Sequence, residues 1–123
     1  IYIAWLGGVI MSDCIFCSIV NGDIPSNKVY EDDEILAFRD IAPEAPVHIV
    51  IVPKLHVANI LDLDESSDLG QKMLKVASKI AKDEGIAESG FRIVNNCNAD
   101  GGQTVFHLHF HLLGGRNLKW PPG

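Results

Sequence analysis

The chain has 123 residues and a formal net charge of −6, so it is long enough for one domain with a modest core. Its apolar fraction of 47% and charged fraction of 21% are ordinary for a globular protein. The negative charge argues against nucleic acid as a partner, because broad nucleic-acid binding requires a concentrated basic surface. A single nucleotide is compatible with it, since backbone N–H groups and a few side chains can hold one phosphate.

The cysteines and the N-terminus bear on the compartment. Three cysteines form an odd count without the density of a secreted disulfide scaffold, which predicts reduced thiols and a cytoplasmic protein. The apolar opening, residues 1–10, is about half the length of a membrane span and lacks the features of a secretory signal, so no membrane partner is expected. Because Met11 resembles a natural start, we interpret residues 1–10 as an N-terminal extension from an upstream start codon or from cloning. Residues 11–123 are then a single domain.

Local patterns predict one short helix and three strands in the first half of the chain. Helical spacing followed by an Asn-Gly turn marks the helix, and β-branched residues between two prolines mark the third strand. Two acidic residues form the expected hairpin turn between the first two strands. In chain order, the elements are a helix over Ile15–Val20 and strands over Lys28–Glu31, Ile35–Arg39 and residues 47–52.

A long amphipathic helix is predicted next, because apolar residues recur every three or four positions over residues 69–81. Asp64 or Ser66 is expected to cap its start, and Gly85 followed by Ile86 fits a left-handed cap at its end. Two further strands follow, at residues 91–95 and 105–113. Because consecutive strands lack crossover helices, the order predicts an α+β fold with an antiparallel meander sheet covered by helices.

Residues 105–113 carry the strongest chemical signal, because His107, His109 and His111 alternate there with apolar residues. In an extended strand, side chains two residues apart lie on one face, about 7 Å apart along it. The pattern therefore predicts a row of three imidazoles on one side and an apolar wall on the other. The alternative is a solvent-facing strand that happens to be rich in histidine.

A glycine-bearing loop stands directly before this strand. Gly101 and Gly102 let backbone N–H groups approach an anion closely, and Gln103 and Thr104 add side-chain donors. Imidazole can act as a nucleophile, a general acid or a metal ligand. The combination predicts a phosphate site beside the group that attacks phosphorus.

Residues 101–116 resemble the signature of the histidine triad (HIT) family, H-φ-H-φ-H-φ-φ with φ apolar. The closing Trp120-Pro-Pro-Gly123 resembles the C-terminus of the Hint branch, the purine nucleoside phosphoramidate hydrolases. The likeness covers residues 11–123 and includes the segments Cys14-Ile-Phe-Cys17, Asp23-Ile-Pro25, Ala37-Phe-Arg-Asp-Ile41, Ala45-Pro-Val-His48 and Ile51-Val-Pro-Lys-Leu-His56.

The resemblance implies a five-stranded antiparallel sheet with one short and one long helix, in a homodimer whose sheets join across a two-fold axis. It also implies hydrolysis of purine nucleoside 5′-phosphoramidates, of the AMP-NH2 or AMP-lysine type or their GMP counterparts, at the α-phosphorus. The reaction passes through a covalent nucleotidyl-histidine and requires no cofactor. The implied catalytic residues are the nucleophile His109, His111 at the phosphate or leaving group, His48 as a positioning residue, and Thr104, where serine is usual.

The same resemblance implies how a nucleotide is held. Asp40 accepts the ribose hydroxyls, Ile41 packs on the sugar, and Phe16, Ile19 and Phe38 form an apolar slot for the base. The phosphate contacts are implied for Asn96, Thr104, His109, His111 and the backbone of Gly102 and Gln103. From the residues alone, Asp40 could be a turn aspartate, and the three apolar residues and His48 could be ordinary core.

Cys14 and Cys17 have the spacing of zinc ligands, although such a pair can also be two buried thiols. The resemblance adds His56 and His107, which would complete a closed structural zinc site without activating water.

Three other functions are compatible with this sequence. One is a dinucleoside polyphosphate hydrolase or nucleotidyl transferase of a neighbouring branch, which tends to carry glutamine in place of the third histidine; His111 disfavours it. The others are a nucleotide-binding or sensing module with little catalysis, and a structural protein whose histidines bind only zinc.

Overall fold

The computed structural model describes residues 14–123, so the expected extension over residues 1–10 lies outside the described part of the chain. Every predicted helix and strand is present, and the last strand differs most because it begins at Phe110 instead of residue 105. None of the helices in the described part is long and apolar enough to span a membrane. The elements are α1 Ile15–Val20, β1 Lys28–Glu31, β2 Ile35–Arg39, β3 Val47–Pro53, α2 Leu69–Asp83, β4 Phe91–Val94 and β5 Phe110–Gly114, with a 3-10 turn at Ile60–Asp62.

The five strands form one antiparallel sheet, which confirms the α+β class. The strand order is β1-β2-β3-β5-β4, so the sheet departs from a simple meander where β5 enters between β3 and β4. His111 consequently lies on a central strand, opposite Val50 of β3 and Val94 of β4. Backbone pairing on both sides fixes the position of this histidine.

Side-chain alternation gives the sheet two different faces. On one face, the apolar residues whose spacing predicts the long helix are all buried against β2, β3 and β5: Leu69, Met73, Val76, Ala77, Ile80 and Ala81. The opposite face carries Leu36, Phe38, Val50 and Val52, which pack with Ile19 of α1 in a smaller core. The site described below lies on this second face, beside α1.

Only one of the two caps predicted for α2 is found in the structure. Gly85 has φ +74°, and the N–H of Ile86 donates to the carbonyl of Ala81 at 3.0 Å, which confirms the left-handed cap. The predicted N-terminal cap is wrong, because the helix begins after Asp68 and Asp64 instead accepts a bond from its own turn, from the N–H of Ser66. The carboxylate of Asp64 closes an Asx turn and does not cap the helix.

Gly114 is expected to be indispensable to the packing of β5 on the segment after α2. A methyl group there would lie 2.6 Å from Cδ1 of Ile86, so Gly114→Ala should lower the free energy of unfolding by about 1–3 kcal/mol. Urea denaturation measures this loss, and Ile86→Val in the same chain should restore part of it. Gly70→Ala is the control: its methyl would lie 3.6 Å from Leu63, and stability should stay equal or rise by about 0.5–1 kcal/mol. A Gly114→Ala protein as stable as its parent would contradict this packing.

Candidate active site and sulfur cluster

The three histidines of the signature do not share one strand. Only His111 lies in β5, whereas His107 and His109 precede it, because the N–H of Leu108 donates to the carbonyl of Val57 at 2.6 Å instead of to a neighbouring strand. The alternation with the apolar wall is retained, since Leu108 is packed in the α2 core. His107 is 0% and His109 5% exposed, so the alternative of a solvent-facing strand is wrong.

The proton on His109 is fixed by a backbone carbonyl. Nδ1 of His109 lies 2.7 Å from the carbonyl oxygen of His107, and because a carbonyl can only accept, Nδ1 carries the hydrogen. Nε2 of His109 therefore presents a lone pair. Burial lowers the pKa of His109 below its ordinary value, against the opposing effect of the carbonyl bond, so the ring is neutral at pH 7. The ring of Phe16 packs edge-on against it, with centroids 4.9 Å apart.

His111 holds its proton on the opposite nitrogen. The N–H of Glu44 donates to Nδ1 of His48 at 3.0 Å, so the hydrogen of His48 is on Nε2. That Nε2–H donates to Nδ1 of His111 at 2.8 Å, which leaves the hydrogen of His111 on Nε2. Burial, and next the nearby His109 and His48, lower the pKa of His111 to about 4. The rings of His109 and His111 are neighbours, with centroids 4.9 Å apart.

Asp40 joins this arrangement from the end of β2. Its Oδ1 accepts from the N–H of Ala42 at 2.8 Å, so the carboxylate does form the turn that the residues alone allowed. Its Oδ2 lies 3.4 Å from Nε2 of His48, and its negative charge opposes the lowering of the His111 pKa. Ile41, the expected sugar contact, is fully exposed beside it.

An apolar cavity of about 180 Å³ lies between α1 and the second face of the sheet. The rings of Phe16 and Phe38 meet edge-to-face in its wall, 5.7 Å between centroids. Ile19 and Phe38, which the resemblance assigns to the slot for the base, also belong to the smaller core, so the two interpretations of these residues are compatible. The lining residues are Ile15, Phe16, Ile19, Ile24, Pro25, Ser26, Phe38, Arg39, Asp40, Ile41 and Val50.

Gln103 proves to be a structural residue of the loop before the histidines. Its side-chain carbonyl accepts from the N–H of Asn98 at 2.9 Å, and its NH2 group donates to the carbonyls of Ala58 and Val105 at 2.8 and 3.1 Å. All three bonds lie within the protein, so the expectation that this side chain donates to phosphate is wrong.

The backbone of the same loop is also engaged. The N–H of Gly102 donates to the carbonyl of Ala99, and that of Gln103 to the carbonyl of Asn98, both at 3.0 Å. These two amides therefore close the loop on itself, and the predicted phosphate contact at their backbone stays a prediction. Thr104 is exposed and Asn96 is half-buried at the two ends of the loop.

Sequence reasoning missed Asn95, at the end of β4. Its Nδ2 donates to the carbonyl of His109 at 3.0 Å, so it holds the backbone of the central histidine. A polar side chain as the last residue of a predicted strand, next to the glycine loop, was the available signal.

Four ligand-type atoms meet at the start of α1. Sγ of Cys14 lies 3.3 Å and Sγ of Cys17 3.5 Å from Nδ1 of His107, and Sγ of Cys17 lies 3.2 Å from Nδ1 of His56. All four atoms lie within 4.8 Å of one another. Ligands of a tetrahedral zinc with the usual bond lengths are about 3.6 Å apart for sulfur and nitrogen, so the set fits this ion.

The protonation of the cluster agrees with a cation site. Nε2 of His107 donates to the carbonyl of Pro53 at 2.8 Å, so the Nδ1 lone pair faces the two sulfur atoms. Burial, and next the hydrogen bond and charge of Cys14, raise the pKa of Cys17 to about 12 in the absence of a cation. A bound metal would reverse this effect, because coordination requires the thiolate.

The two proton positions and the titration of His111 can be measured by NMR of 13C,15N-labelled imidazoles. At pH 7, His109 should be neutral with its hydrogen on Nδ1, and His111 neutral with its hydrogen on Nε2. His111 should protonate only near pH 4. Because its ordinary pKa is 6.5, acidification from 6.5 to 4 favours the unfolded state, so this residue's contribution to stability falls through that window.

Asp40→Asn provides the control for that titration, since removing the negative charge should lower the His111 midpoint further. A midpoint near 6.5 in the folded parent protein would contradict the desolvated environment assigned to His111.

Comparison with known proteins agrees with this geometry. The model of the HIT domain family matches residues 21–118. The chain is 49% identical over 108 residues to the purine nucleoside phosphoramidase of Escherichia coli K12, covering 86% of this chain and 90% of that one. It is 47% identical over 114 residues to a 14 kDa zinc-binding protein of Brassica juncea, covering 90% and 100%. The crystal structure of a HIT family hydrolase from Legionella pneumophila superposes with a TM-score of 0.87 at 52% identity, covering 89% of this chain and 99% of that one. The chain therefore belongs to the HIT, or histidine triad, family.

Proposed function

We propose that this protein hydrolyses purine nucleoside 5′-phosphoramidates at the α-phosphorus, with His109 as the nucleophile. The observation that carries the proposal is the 2.7 Å bond from Nδ1 of His109 to the carbonyl of His107. It fixes a lone pair on Nε2 of a ring that burial keeps neutral, and a neutral imidazole with a free nitrogen is a nucleophile. The 49% identity to a purine nucleoside phosphoramidase supports the P–N bond as the target.

The reaction has two steps. Nε2 of His109 attacks the α-phosphorus, and the P–N bond breaks with its electron pair passing to the departing nitrogen, which takes up a proton from solvent. Water then attacks the phosphorus and returns a proton to solvent, while the P–N bond to the imidazole breaks, its electron pair returns to Nε2 and the nucleoside monophosphate is released. The imidazole ring of the nucleotidyl-histidine is positively charged, so the bond from its Nδ1–H to the carbonyl of His107 becomes charge-assisted and stabilises it.

His111 donates to the substrate in this scheme. Its hydrogen is on Nε2 because His48 occupies Nδ1, and its ring adjoins that of His109. It therefore supplies a hydrogen bond to a phosphate oxygen or to the departing nitrogen. His48 acts through His111 and is a positioning residue.

The remaining contacts are assigned by location. The apolar cavity takes the purine base, and Asp40 and Ile41 at its edge take the ribose. Thr104 and Asn96 at the ends of the glycine loop take the phosphate and amine side. The occupied amides of Gly102 and Gln103 are left out of this assignment.

We propose further that Cys14, Cys17, His56 and His107 hold a structural zinc ion. Two thiolates and two imidazoles complete its tetrahedron, so no position is left to activate water, and the hydrolysis requires no cofactor. A relative named as zinc-binding supports this assignment. The homodimer and the cytoplasmic location stay predictions.

Replacement of His109 tests the nucleophile. His109→Ala and His109→Asn should reduce hydrolysis of adenosine 5′-phosphoramidate by several orders of magnitude, because the covalent route is lost. Acid-quenched parent enzyme should carry a nucleotide label on a histidine, and His109→Ala should carry none.

His111→Ala serves as the comparison, because it should slow turnover by about 10–1,000-fold and still form the labelled adduct. Turnover at the parent rate in His109→Ala would refute the nucleophile. A parent that binds AMP tightly but cleaves neither phosphoramidates nor diadenosine polyphosphates would favour the nucleotide-sensing module instead.

Metal analysis tests the cluster separately. The purified parent should contain about one zinc per chain, and chelation should lower its melting temperature. Cys17→Ser should lose the metal, whereas Cys97→Ser, which changes a cysteine outside the cluster, should keep it. Equal zinc contents in these two variants would exclude the assigned ligands.

A further inference from the structure

One residue of the cavity wall, Ser26, carries a buried polar atom that has no hydrogen-bond partner within residues 14–123. Among side-chain nitrogen and oxygen atoms of residues 14–123, Oγ of Ser26 is the buried one that makes no hydrogen bond. Buried polar groups are nearly always paired, because an unpaired one loses its hydration without compensation. Ser26 lies between α1 and β1 and lines the apolar cavity.

The other polar side chains in that wall are already engaged. Arg39 forms two parallel bonds to Glu84, with nitrogen–oxygen distances of 2.8 and 2.9 Å. Asp40 accepts from the N–H of Ala42 and faces His48. All other lining residues are apolar, so Ser26 is the polar side chain of the cavity wall that forms no hydrogen bond within residues 14–123.

The geometry points to Ser26 as a specificity residue for the nucleobase, an inference that rests on the proposed function. We propose that its hydroxyl turns about the Cα–Cβ bond into the cavity and hydrogen-bonds the polar edge of a purine's six-membered ring. The turn breaks no existing hydrogen bond. The apolar walls accept the faces of the base, while its nitrogen and amino or oxo groups would otherwise be buried unpaired.

A hydroxyl suits this task for more than one purine. It donates one hydrogen and accepts through its lone pairs, so it can pair with the ring nitrogen and amino group of adenine or with the ring N–H and oxygen of guanine. The proposal therefore predicts tolerance between these two bases and discrimination against a base that lacks the polar edge.

The test compares two ligands by calorimetry: AMP and benzimidazole riboside 5′-monophosphate, whose six-membered ring carries no polar group. The parent should bind AMP about 5–10-fold more tightly, the factor expected for one net hydrogen bond. Ser26→Ala should bind both ligands with equal affinity, because its affinity for AMP falls while its affinity for the benzimidazole nucleotide does not change. Ser26→Thr keeps a hydroxyl and should restore the preference, and Ser89→Ala, outside the cavity, should leave it unchanged.

Thermal unfolding without ligand separates this role from a structural one. Ser26→Ala should melt at the same temperature as the parent or higher, because it removes an unpaired buried hydroxyl; a lower melting temperature would indicate that Ser26 supports the fold instead.

Equal affinities in the parent, or a preference for AMP that persists in Ser26→Ala, would overturn the proposal. Absence of phosphoramidate hydrolysis with AMP binding intact would refute the proposed function alone. A parent that binds neither nucleotide would refute both.

Discussion

His107 is completely buried, and three of its polar groups contact other parts of the site. Its Nε2 donates to Pro53, its Nδ1 faces the sulfur atoms, and its carbonyl accepts from His109. Because a buried polar group without a partner is costly, these three directions constrain one another. A single residue thus takes part in both places: its imidazole faces the sulfur atoms, and its carbonyl fixes the nitrogen on which His109 carries its proton.

Two neighbouring rings on the same face consequently have different chemistry. His109 donates a hydrogen bond from Nδ1 to a backbone carbonyl and keeps a lone pair on Nε2, whereas His111 accepts a hydrogen bond at Nδ1 from His48 and keeps its hydrogen on Nε2. The difference originates in the backbone, since a carbonyl lies beside one ring and the N–H of Glu44 begins the chain of bonds to the other. The signature alone does not distinguish these two roles.

Local patterns predicted most of the fold, because period-2 and period-3.6 spacing reflects burial directly. They could not give the strand order, nor the departure of residues 105–109 from extended pairing, which depends on a bond from Leu108 to the distant Val57. The prediction of the α2 cap was wrong for a similar reason: the carboxylate of Asp64 could accept from the start of the helix or from its own turn, and it accepts from the N–H of Ser66.

For the site, the family signature identified the residues that meet in space, but not the state of each polar group. Gln103 looked like a free donor in the sequence, and only its contacts with Ala58 and Val105 show that it is a structural element of the loop. Asn95 and Ser26 carried no motif, and their importance depends on what lies within hydrogen-bonding distance of them.

The helix α1 has six residues, too few for a stable helix by itself, because nucleation is costly and few bonds repay it. Its order comes from Cys14 and Cys17 on one side and from the packing of Phe16 and Ile19 on the other. Under the proposed function, a cation at the two cysteines and a base in the cavity would both order this helix and would then share one free energy of ordering. By thermodynamic reciprocity, a base that tightens this helix must strengthen cation binding at the sulfur atoms by the same factor as the cation strengthens retention of the base.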